Sequence, residues 1–415
     1  MRVLVLTHRL PYAPNRGDRL RAYHMLRHLR TRADVELVSL VHDDEEAAHV
    51  GEMRDLVPRV TALMVPRLRT RAGAVIALPT RRPLTHALLD APAMASTLRS
   101  ICEARPPDVV FAYCSGMARF AMQPPLAEVP MVLDFVDVDS RKWQDLGAAA
   151  RPPLSWVYRR EAATLGAFEA GAAKHAFASL VVNAREADVA RTLAPSANIH
   201  VLSNGVDLDR LVPPHEPSSR PRVVFCGVMN YAPNHDGMTW FIRDVWPLVR
   251  ARRADATLAV VGADPLPAMT ALCAADASVT LTGRVAEVRE WLWQSAVAVA
   301  PLHVARGVQN KALEAIAAGL PVVMTEAVAG GLPNDAAPAS FVANSAPRFA
   351  EHVINLLALS PQQRRARAEC ADLSALTWPR TLAPLWPLLE HAARSINPPA
   401  TTVSRRERVA TAGRI

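Results

Sequence analysis

Residues Val297–Thr325 read VAVAPLHVARGVQNKALEAIAAGLPVVMT and contain a complete strand–helix–strand unit. The apolar run that ends at Pro301 predicts a buried strand, and a helix is predicted to begin near Gln309. Gly319 and Pro321 end that helix, because glycine readily follows the last helical residue and proline cannot continue a helix. The apolar run after Pro321 predicts the next strand. Two strands joined in this way are typical of a parallel sheet covered by helices.

Short apolar runs of the same kind recur along the whole chain in two series. The first series comprises Val3–Thr7, Val35–Val41, Asp108–Tyr113, Met131–Val136 and Ser179–Asn183, and the second comprises Val223–Cys226, Leu258–Gly262, Ser278–Thr282, Val297–Pro301 and Pro321–Thr325. A polar, proline-rich stretch, Pro213–Pro221, separates them. We therefore predict an α/β protein with two doubly wound Rossmann-like domains, residues 1–210 and 211–395, which face each other across a cleft. The tail at 396–415 is predicted to be disordered.

The charge of the chain comes almost entirely from arginine. The 415 residues include 47 Lys and Arg against 39 Asp and Glu, a formal charge of +8. Only Lys142, Lys174 and Lys311 are lysines, which indicates a composition bias rather than a special partner. No DNA-reading helix or aromatic stacking motif accompanies the charge, so we expect no nucleic-acid partner. The five cysteines never form a C-x-x-C pair, which predicts neither disulfides nor a zinc knuckle.

The hydrophobic segments bear on the cellular compartment. No apolar run approaches the roughly 20 residues that span a bilayer, and the apolar stretch before His8 is too short for a signal-peptide core. The sequence therefore predicts a cytoplasmic protein. Peripheral contact with the inner membrane is a separate hypothesis, suggested by the arginines of the N-terminal half. No amphipathic anchor strong enough to support it is evident in the sequence.

The usual nucleotide, metal and nucleophile signatures are missing. No G-x-G-x-x-G follows a strand, and the chain contains no Walker A, H-E-x-x-H or G-x-S-x-G sequence. Residues Asp137, Val138 and Asp139 have the spacing of a D-x-D metal site, but they follow an apolar strand and precede Ser140. We expect no metal, and metal binding by these two carboxylates is kept as an alternative.

Lys311 lies in the first turn of the predicted helix, behind Gly307. A helix start offers free backbone N–H groups and the positive end of the helix dipole, which together bind anions such as a diphosphate. A cation at that end is unfavourable on its own, so an anionic ligand is an economical explanation. A solvated lysine is the alternative. Glu314, three residues further on, can be an ion-pair partner of Lys311 or an acceptor for ribose hydroxyls.

The same segment resembles the donor-site signature of GT-B glycosyltransferases, in particular the retaining enzymes of family 4, which reads approximately G-x-x-K-x-L-E-A-x-A-x-G-x-P-V-V. Val201–Asp207 (VLSNGVD) resembles the interdomain I-P-N-G-V-D motif of that family. Val181–Asn183 with Glu186 resembles the preceding strand and helix, and Thr282–Val285 resembles the nucleobase loop. G-V-Q-N-K and residues 138–143 are similar to a bacterial subgroup associated with exopolysaccharide and PEP-CTERM/exosortase loci. The resemblance implies the GT-B fold, in which the terminal helix crosses back to the first domain.

The resemblance also implies that a nucleotide sugar, UDP- or GDP-linked, is the donor substrate and that no further cofactor is needed. Lys311 and the backbone at Gly307 and Val308 would hold the diphosphate, and Glu314 would accept hydrogen bonds from the ribose. Arg306 stands where the E-x7-E pattern of the family has its first acid. The usual contact of that acid with the sugar is therefore lost, and the cation in its place can add positive charge at the diphosphate. The other residues assigned to the donor are Gly227, Asn230, Gly283, Arg284, Val285 and Asn310.

Six residues are assigned to the acceptor because they follow two strands at the carboxyl edge of the first sheet, where ligands generally bind. The first loop contributes Gly17, Asp18 and Arg19, and the second contributes Asp137, Asp139 and Ser140. A capped helix with solvated arginines is the alternative for the first loop. His8 and His303 are either proton carriers or hydrogen-bonded structural residues.

The resemblance implies a hexosyltransferase that acts with retention, and we expect no metal in the reaction. A helix N-terminus with Lys311 and Arg306 can stabilise the departing nucleoside diphosphate. The expected acceptor is a glycan or a polyprenyl-linked glycan of bacterial exopolysaccharide or cell-surface glycan biosynthesis. One alternative is a nucleotide-sugar epimerase of the same fold, which would form product without an acceptor. The other is a non-catalytic protein that binds a nucleotide sugar without turning it over.

Overall fold

The computed structural model describes residues 1–12, 17–305 and 307–396, without the side chains of residues 17, 18 and 396. The sequence predictions for Arg306 and for the tail after Ile396 lie outside these residues. The predicted side-chain role of Asp18 lies outside them as well.

Two parallel sheets form the framework of the protein. The first contains β1 (Arg2–Thr7), β2 (Asp34–Val41), β3 (Arg59–Met64), β4 (Val109–Tyr113), β5 (Met131–Val136), β6 (Ala178–Val181) and β7 (Ile199–Val201), and the second contains β8 (Arg222–Cys226), β9 (Thr257–Val261), β10 (Val279–Gly283), β11 (Val297–Ala300), β12 (Val322–Met324) and β13 (Ser340–Val342). The strand orders are β3-β2-β1-β4-β5-β6-β7 and β10-β9-β8-β11-β12-β13. The predicted class, two Rossmann-like α/β domains, is confirmed.

Helices connect the strands and cover both sheets. They are α1 (Gly17–Leu29), α2 (Asp44–Ala48), α3 (Val50–Leu56), α4 (Arg67–Ala77), α5 (Leu84–Leu88), α6 (Met94–Ala104), α7 (Ser115–Ala121), α8 (Asp139–Ala149), α9 (Leu154–His175), α10 (Ala184–Leu193), α11 (Leu208–Leu211), α12 (Ala232–Trp240), α13 (Trp246–Arg252), α14 (Pro267–Ala274), α15 (Val288–Trp293), α16 (Asn310–Ala317), α17 (Glu326–Ala329), α18 (Ala346–Ala358), α19 (Pro361–Glu369), α20 (Trp378–Leu382) and α21 (Leu385–Ile396). A π-helical turn, Phe241–Val245, joins α12 to α13, and 3-10 turns lie at Asn334–Ala339 and Ser374–Leu376. Among the described residues, no helix is long and apolar enough to cross a membrane.

Strand β1 illustrates why the interior strands form. All of its residues are buried, and Val3 pairs in register with Val35 of β2 and Val109 of β4. A strand that is buried on both faces needs an uninterrupted apolar run rather than an alternating pattern. Of the four outer strands, all partly exposed, the apolar runs predict β10 but not β3, β7 and β13.

Helix α16 begins at Asn310, close to the predicted start at Gln309. Its buried face comprises Ala312, Leu313, Ala315 and Ile316. Gly319 follows the helix with a φ of 79°, a left-handed conformation that glycine adopts without strain. The helix therefore starts just beyond the carboxyl end of β11, with Lys311 in its first turn.

The last two helices pack on the first domain, although they follow the second domain in sequence. Their buried residues Trp378, Leu382, Leu385, Trp386 and Leu389 share a core with residues of β1, β2 and β4. Trp378 also packs against the chain between the domains. A Cβ atom at Gly205 would lie 2.5 Å from the Trp378 backbone, so only glycine fits at this crossing.

Candidate functional site

The carboxyl ends of the two sheets face each other across the cleft between the domains. Asp137 follows β5 of the first sheet, and Gly307 follows β11 of the second. A Cβ atom at Gly307 would lie 2.5 Å from Asp137 Oδ1, so the two loops touch across the cleft. Gly307 has a φ of 63°, which is a second reason for glycine at this position. The structure thus brings a predicted acceptor residue against a predicted donor residue.

Lys311 is held in the cleft without an acidic partner. Its Nζ donates to Asn234 Oδ1 at 2.5 Å and lies 4.6 Å from the centre of the Phe225 ring. Burial lowers the pKa of Lys311 to about 8, although the nearby Glu314 acts in the opposite direction. No carboxylate in the described part of the chain lies within ion-pair distance of the ammonium. The side chain is half-buried, so a ligand in the cleft can reach it.

Gly227, at the end of β8, leaves the room that this arrangement needs. A Cβ atom there would lie 2.8 Å from Asn234 Nδ2 and 3.0 Å from Lys311 Nζ. Asn234 is buried and donates from Nδ2 to the Val228 carbonyl at 2.8 Å. Gly227, which the sequence analysis assigns to the donor, therefore leaves room for the ammonium of Lys311 and for the amide that holds it.

Glu314 lies one turn after Lys311, but the two side chains are not within ion-pair distance. Glu314 is therefore not a direct ion-pair partner of Lys311, which binds Asn234 instead. Burial raises the pKa of Glu314, and the charges of Lys311 and Arg210 oppose this shift. Burial also raises the pKa of the nearby Cys226 thiol to about 12, so this thiol is neutral.

A series of hydrogen bonds, here called the interdomain polar chain, connects the first domain to the start of α16. Arg21 Nε donates to Asp134 Oδ2 at 2.8 Å, and both side chains are fully buried. Arg21 Nη1 donates to Asn204 Oδ1 at 2.9 Å. Asn204 Nδ2 donates in turn to Asn310 Oδ1 at 3.0 Å. The side chain of Asn310, predicted to bind the donor, is thus engaged by the other domain.

Four carboxylates surround the loop after β5. This carboxylate cluster comprises Asp137, Asp139, Glu169 and Glu186. Burial raises the pKa of Asp137 to about 7, and the charges of Glu186 and Asp139 add to this shift. Burial likewise raises the pKa of Glu169 to about 8 and shifts that of Asp139 upward. Asp137 Oδ1 is buried and has no hydrogen-bond partner among the described residues.

Backbone amides hold two members of the carboxylate cluster in place. Val138 N donates to Glu186 at 2.9 Å, and Ser140 N donates to Glu169 at 3.2 Å. The predicted acceptor residue Ser140 is itself buried. In the described parts of the chain, no group of three or more His, Cys, Asp or Glu side chains is arranged to hold a metal ion.

Two arginines near the start of α1, Arg19 and Arg21, are buried rather than solvated. Arg19 Nη2 lies 3.7 Å from Glu46 Oε1, and its guanidinium lies 4.2 Å from the centre of the Tyr12 ring. Arg21 belongs to the interdomain polar chain. The interpretation of this helix as one with solvated arginines is therefore wrong for both residues.

The predicted nucleobase loop follows β10, the outer strand of the second sheet. Gly283 has a φ of 67°, and the position of a Cβ atom there has no neighbour within 4 Å. Arg284 lies 3.9 Å from Glu45 of the first domain and 3.9 Å from Asp264. Val285 packs partly against the core. Because exposed ion pairs contribute little stability, these contacts leave the guanidinium of Arg284 available to a ligand.

The remaining candidates differ in their surroundings. Asn230 is exposed, and Val308 packs partly against the core of the second domain. The two histidines contact aromatic rings, His8 that of Tyr113 and His303 that of Trp240. These ring contacts are an observed packing role for both histidines.

Three residues of the interdomain polar chain, Arg21, Asp134 and Asn204, are absent from the predicted site. One signal was available, because Asp134 is a single charge inside the apolar strand Met131–Val136, and a buried charge requires a partner. A second signal is the segment Val201–Asp207, which contains Asn204 and resembles an interdomain motif. Neither signal identifies the partner, which comes from an element distant in sequence.

The second domain matches a family model described as Glycosyl transferases group 1 over residues 220–359. A search of curated proteins finds no match. Solved structures that cover nearly the whole chain are similar in fold.

Three of these structures illustrate the likeness. Anabaena HepE in complex with UDP and glucose has 14% identity and a TM-score of 0.63, over 94% of this chain and 100% of that chain. WaaG, a glycosyltransferase involved in lipopolysaccharide biosynthesis, has 19% identity and a TM-score of 0.59, over 96% and 100%. A variant of S. aureus TarM in complex with Fondaparinux, alpha-GlcNAc-glycerol and UDP has 10% identity and a TM-score of 0.68, over 94% and 100%. The chain thus has the GT-B fold, and its second domain is similar to glycosyltransferases of group 1.

Proposed function

We propose that this protein is a glycosyltransferase that takes a sugar from a nucleotide diphosphate sugar. The observation that carries the proposal is Lys311, a half-buried cation at the start of α16 with no acidic partner among the described residues. The helix dipole and burial both disfavour a cation there, unless an anion binds beside it. A diphosphate meets this requirement, because it can accept from the ammonium and from the free N–H groups of the helix start.

In the proposed reaction, the bond between the anomeric carbon and the phosphate oxygen breaks, and its electron pair leaves with the nucleoside diphosphate. Lys311 and the start of α16 stabilise the negative charge that grows on that oxygen. These interactions strengthen as the bond breaks, so they lower the barrier rather than only binding the substrate. The acceptor hydroxyl attacks the anomeric carbon and loses its proton to the leaving phosphate. We propose retention of configuration and no metal in this step.

Other residues of the cleft have supporting roles in the proposal. Glu314, free of a direct ion pair with Lys311, accepts hydrogen bonds from the ribose hydroxyls. Gly307 lies where the donor sugar meets the first domain, because its loop touches Asp137. Asp137 and Asp139 then face the acceptor, and the buried Ser140 supports them by holding Glu169. Arg306 adds positive charge beside Gly307 on the evidence of the sequence alone.

The proposed donor is a UDP-sugar, with GDP as the other nucleotide considered. HepE and the TarM variant are seen with UDP, which supports this choice for a chain of the same fold. The proposed acceptor is a glycan or a polyprenyl-linked glycan in bacterial exopolysaccharide or cell-surface glycan synthesis, on the cytoplasmic side. The open side of Gly283 and the available Arg284 support a position for the nucleobase beyond the end of β10.

The proposal is tested with the full chain and a panel of UDP- and GDP-sugars. Thermal shift first identifies the bound donor, because a ligand that binds the folded state raises its stability. Release of nucleoside diphosphate is then measured with and without glycan acceptors. We expect transfer in wild type and in Lys174→Ala, an exposed lysine of α9, and strong losses in Lys311→Ala and Glu314→Ala.

Three outcomes would contradict this proposal in different ways. Equal activity in all four proteins would refute the site. Product formed without an acceptor would identify an epimerase. A donor that binds at Lys311 without turnover would identify a nucleotide-sugar-binding protein.

A further inference from the structure

Helix α4 presents its large apolar side chains to solvent and its small side chains to the protein. Leu68, Val75 and Ile76 are 85%, 65% and 73% exposed. The buried residues of the same helix are Thr70 and Ala77. A surface helix normally does the reverse, because burial of large apolar side chains is what holds it to the core.

The exposed apolar side chains form one stripe along α4. Leu68, Ala72, Val75 and Ile76 stand at i, i+4, i+7 and i+8, which places them on one face of a helix. Arg71 lies on one side of this stripe and Arg69 lies on the other, and both are exposed. An apolar stripe flanked by arginines is the pattern of a helix that lies in a membrane surface.

The Asp, Glu, Lys and Arg residues of the sequence segment that contains α4 have one sign. Residues 56–89 include arginines at 59, 67, 69, 71, 81 and 82 and no Asp or Glu. Arg69, Arg71 and Arg81 have no ion-pair partner among the described residues. Their charge is therefore not neutralised within the protein, and it attracts an anionic surface.

A second exposed apolar group lies near the end of α4. Arg160 of α9 donates to the carbonyls of Ala77 at 2.8 Å and of Leu78 at 3.1 Å. Trp156, one turn before Arg160, is 66% exposed. Tryptophan is favoured at membrane interfaces, because one end of its ring system is apolar and the other can donate a hydrogen bond.

We propose that the α4 surface, defined by Leu68, Arg69, Arg71, Val75, Ile76 and Trp156, docks on a bilayer of anionic phospholipids. The apolar stripe enters the boundary between head groups and acyl chains, while the arginines bind lipid phosphates. A second copy of the chain is a poorer occupant. A two-fold dimer through this face would bring the unpaired arginines of the two copies together.

Helix α4 begins at the edge of the first sheet that borders the cleft. Arg67, its first residue, donates to the His42 carbonyl at 2.9 Å and to Asp43 at 3.0 Å. These two residues follow β2, so α4 starts at the carboxyl edge of the first sheet, where Asp137 also lies. Docking would hold this edge near the lipid surface, within reach of a lipid-linked substrate. The docking itself does not depend on the proposed transferase reaction.

The test measures binding of the full chain to vesicles by sedimentation. One set contains phosphatidylcholine alone, and the other contains phosphatidylcholine and phosphatidylglycerol in equal amounts. We expect wild type to bind the second set at low salt and to lose most of this binding in high salt, because salt screens the arginines. We expect Leu68→Ser/Ile76→Ser and Arg69→Gln/Arg71→Gln each to weaken binding about tenfold or more.

Matched variants on the second domain serve as controls. Leu248→Ser/Leu266→Ser changes two other exposed apolar residues, and Arg243→Gln/Arg252→Gln changes two other exposed arginines. Both should bind as wild type does. All of the changed side chains are exposed, so thermal unfolding should show that every variant is folded.

Several results would overturn the docking proposal. Wild type could fail to bind anionic vesicles at low salt, or it could bind phosphatidylcholine vesicles equally well. The α4 variants could bind as well as wild type. The control variants could lose as much binding as the α4 variants. Light scattering adds one more. An oligomer that Leu68→Ser/Ile76→Ser dissociates would show that a second copy covers this face.

Discussion

The two domains place a buried cation at comparable positions, and they treat it in opposite ways. In the first domain, Arg21 is fully buried and forms two hydrogen bonds with the carboxylate of Asp134. In the second domain, Lys311 is half-buried, and among the described residues its ammonium donates to a neutral amide, that of Asn234. Both cations lie near the carboxyl edge of a parallel sheet. The positive charge of Arg21 is therefore balanced by Asp134, whereas that of Lys311 has no carboxylate partner among the described residues.

This difference separates a structural charge from one that is available to a ligand. An arginine that donates two hydrogen bonds to one carboxylate has its charge balanced within the fold, and it can position other groups. A lysine whose pKa is lowered by burial is held at a cost in its charged form, and an anion relieves that cost. The comparison therefore predicts that Arg21 matters for stability, whereas Lys311 matters for the ligand.

The largest expected effect is on stability. We expect Arg21→Leu to lower the free energy of unfolding by about 3 to 5 kcal/mol, because it leaves Asp134 buried without a counter-charge. Lys311→Met should change it by less than about 1 kcal/mol, or raise it, because it removes a cation that burial disfavours. Urea unfolding followed by circular dichroism measures both.

Two further variants test whether the unpaired buried charge causes the loss of stability. Arg99→Leu changes an exposed arginine of α6 and should leave stability nearly unchanged. The double variant Arg21→Met/Asp134→Leu removes both charges and should recover most of the loss. Equal losses in Arg21→Leu and Lys311→Met would show that the two cations do not differ in the way proposed.

The sequence predicted the local part of this site and not the long-range part. Strand β11, the start of α16 and the position of Lys311 follow from apolar runs and helix signals within Val297–Thr325. The partners of Arg21 lie 113 and 183 residues away, and local periodicity carries no information on such pairs. The same limit applies to α4. The sequence analysis finds no strong amphipathic anchor, and the structure shows that Leu68, Val75 and Ile76 of α4 face solvent.

The next effect in size concerns the link between the two cations. Asn204→Ala removes the hydrogen bond to Asn310 and leaves one guanidinium donor of Arg21 unpaired, at a cost of about 1 to 3 kcal/mol. If this link positions α16, the KM for the donor should rise or kcat should fall, while Arg21 keeps its pair with Asp134. Steady-state kinetics that separate kcat from KM measure the change.

Two variants test whether the hydrogen bond from Asn204 to Asn310 is the one that positions α16. Asn204→Asp keeps an acceptor for Arg21 but loses the donor to Asn310, so it should impair the donor site as Asn204→Ala does. Asn198→Ala changes an exposed amide that donates to the Phe177 carbonyl and, among the described residues, has no contact with α16, so it should behave as wild type. Unaltered kinetics in both Asn204 variants would mean that α16 is positioned without the first domain.

The smallest effect is the pH dependence of nucleotide binding. Burial lowers the pKa of Lys311 to about 8, so the free protein loses this charge as the pH rises above that value. A bound diphosphate favours the charged form, and affinity should therefore be highest below pH 8 and fall by up to tenfold per pH unit above it. The thiol of Cys226, with a pKa of about 12, stays neutral in this range. Calorimetric titration with UDP at pH values above neutral tests this, and Lys311→Arg should give a flat profile, because guanidinium stays charged throughout. If Lys311→Arg and wild type have the same profile, another group is responsible for the titration, and Lys311 is not the cation that holds the diphosphate.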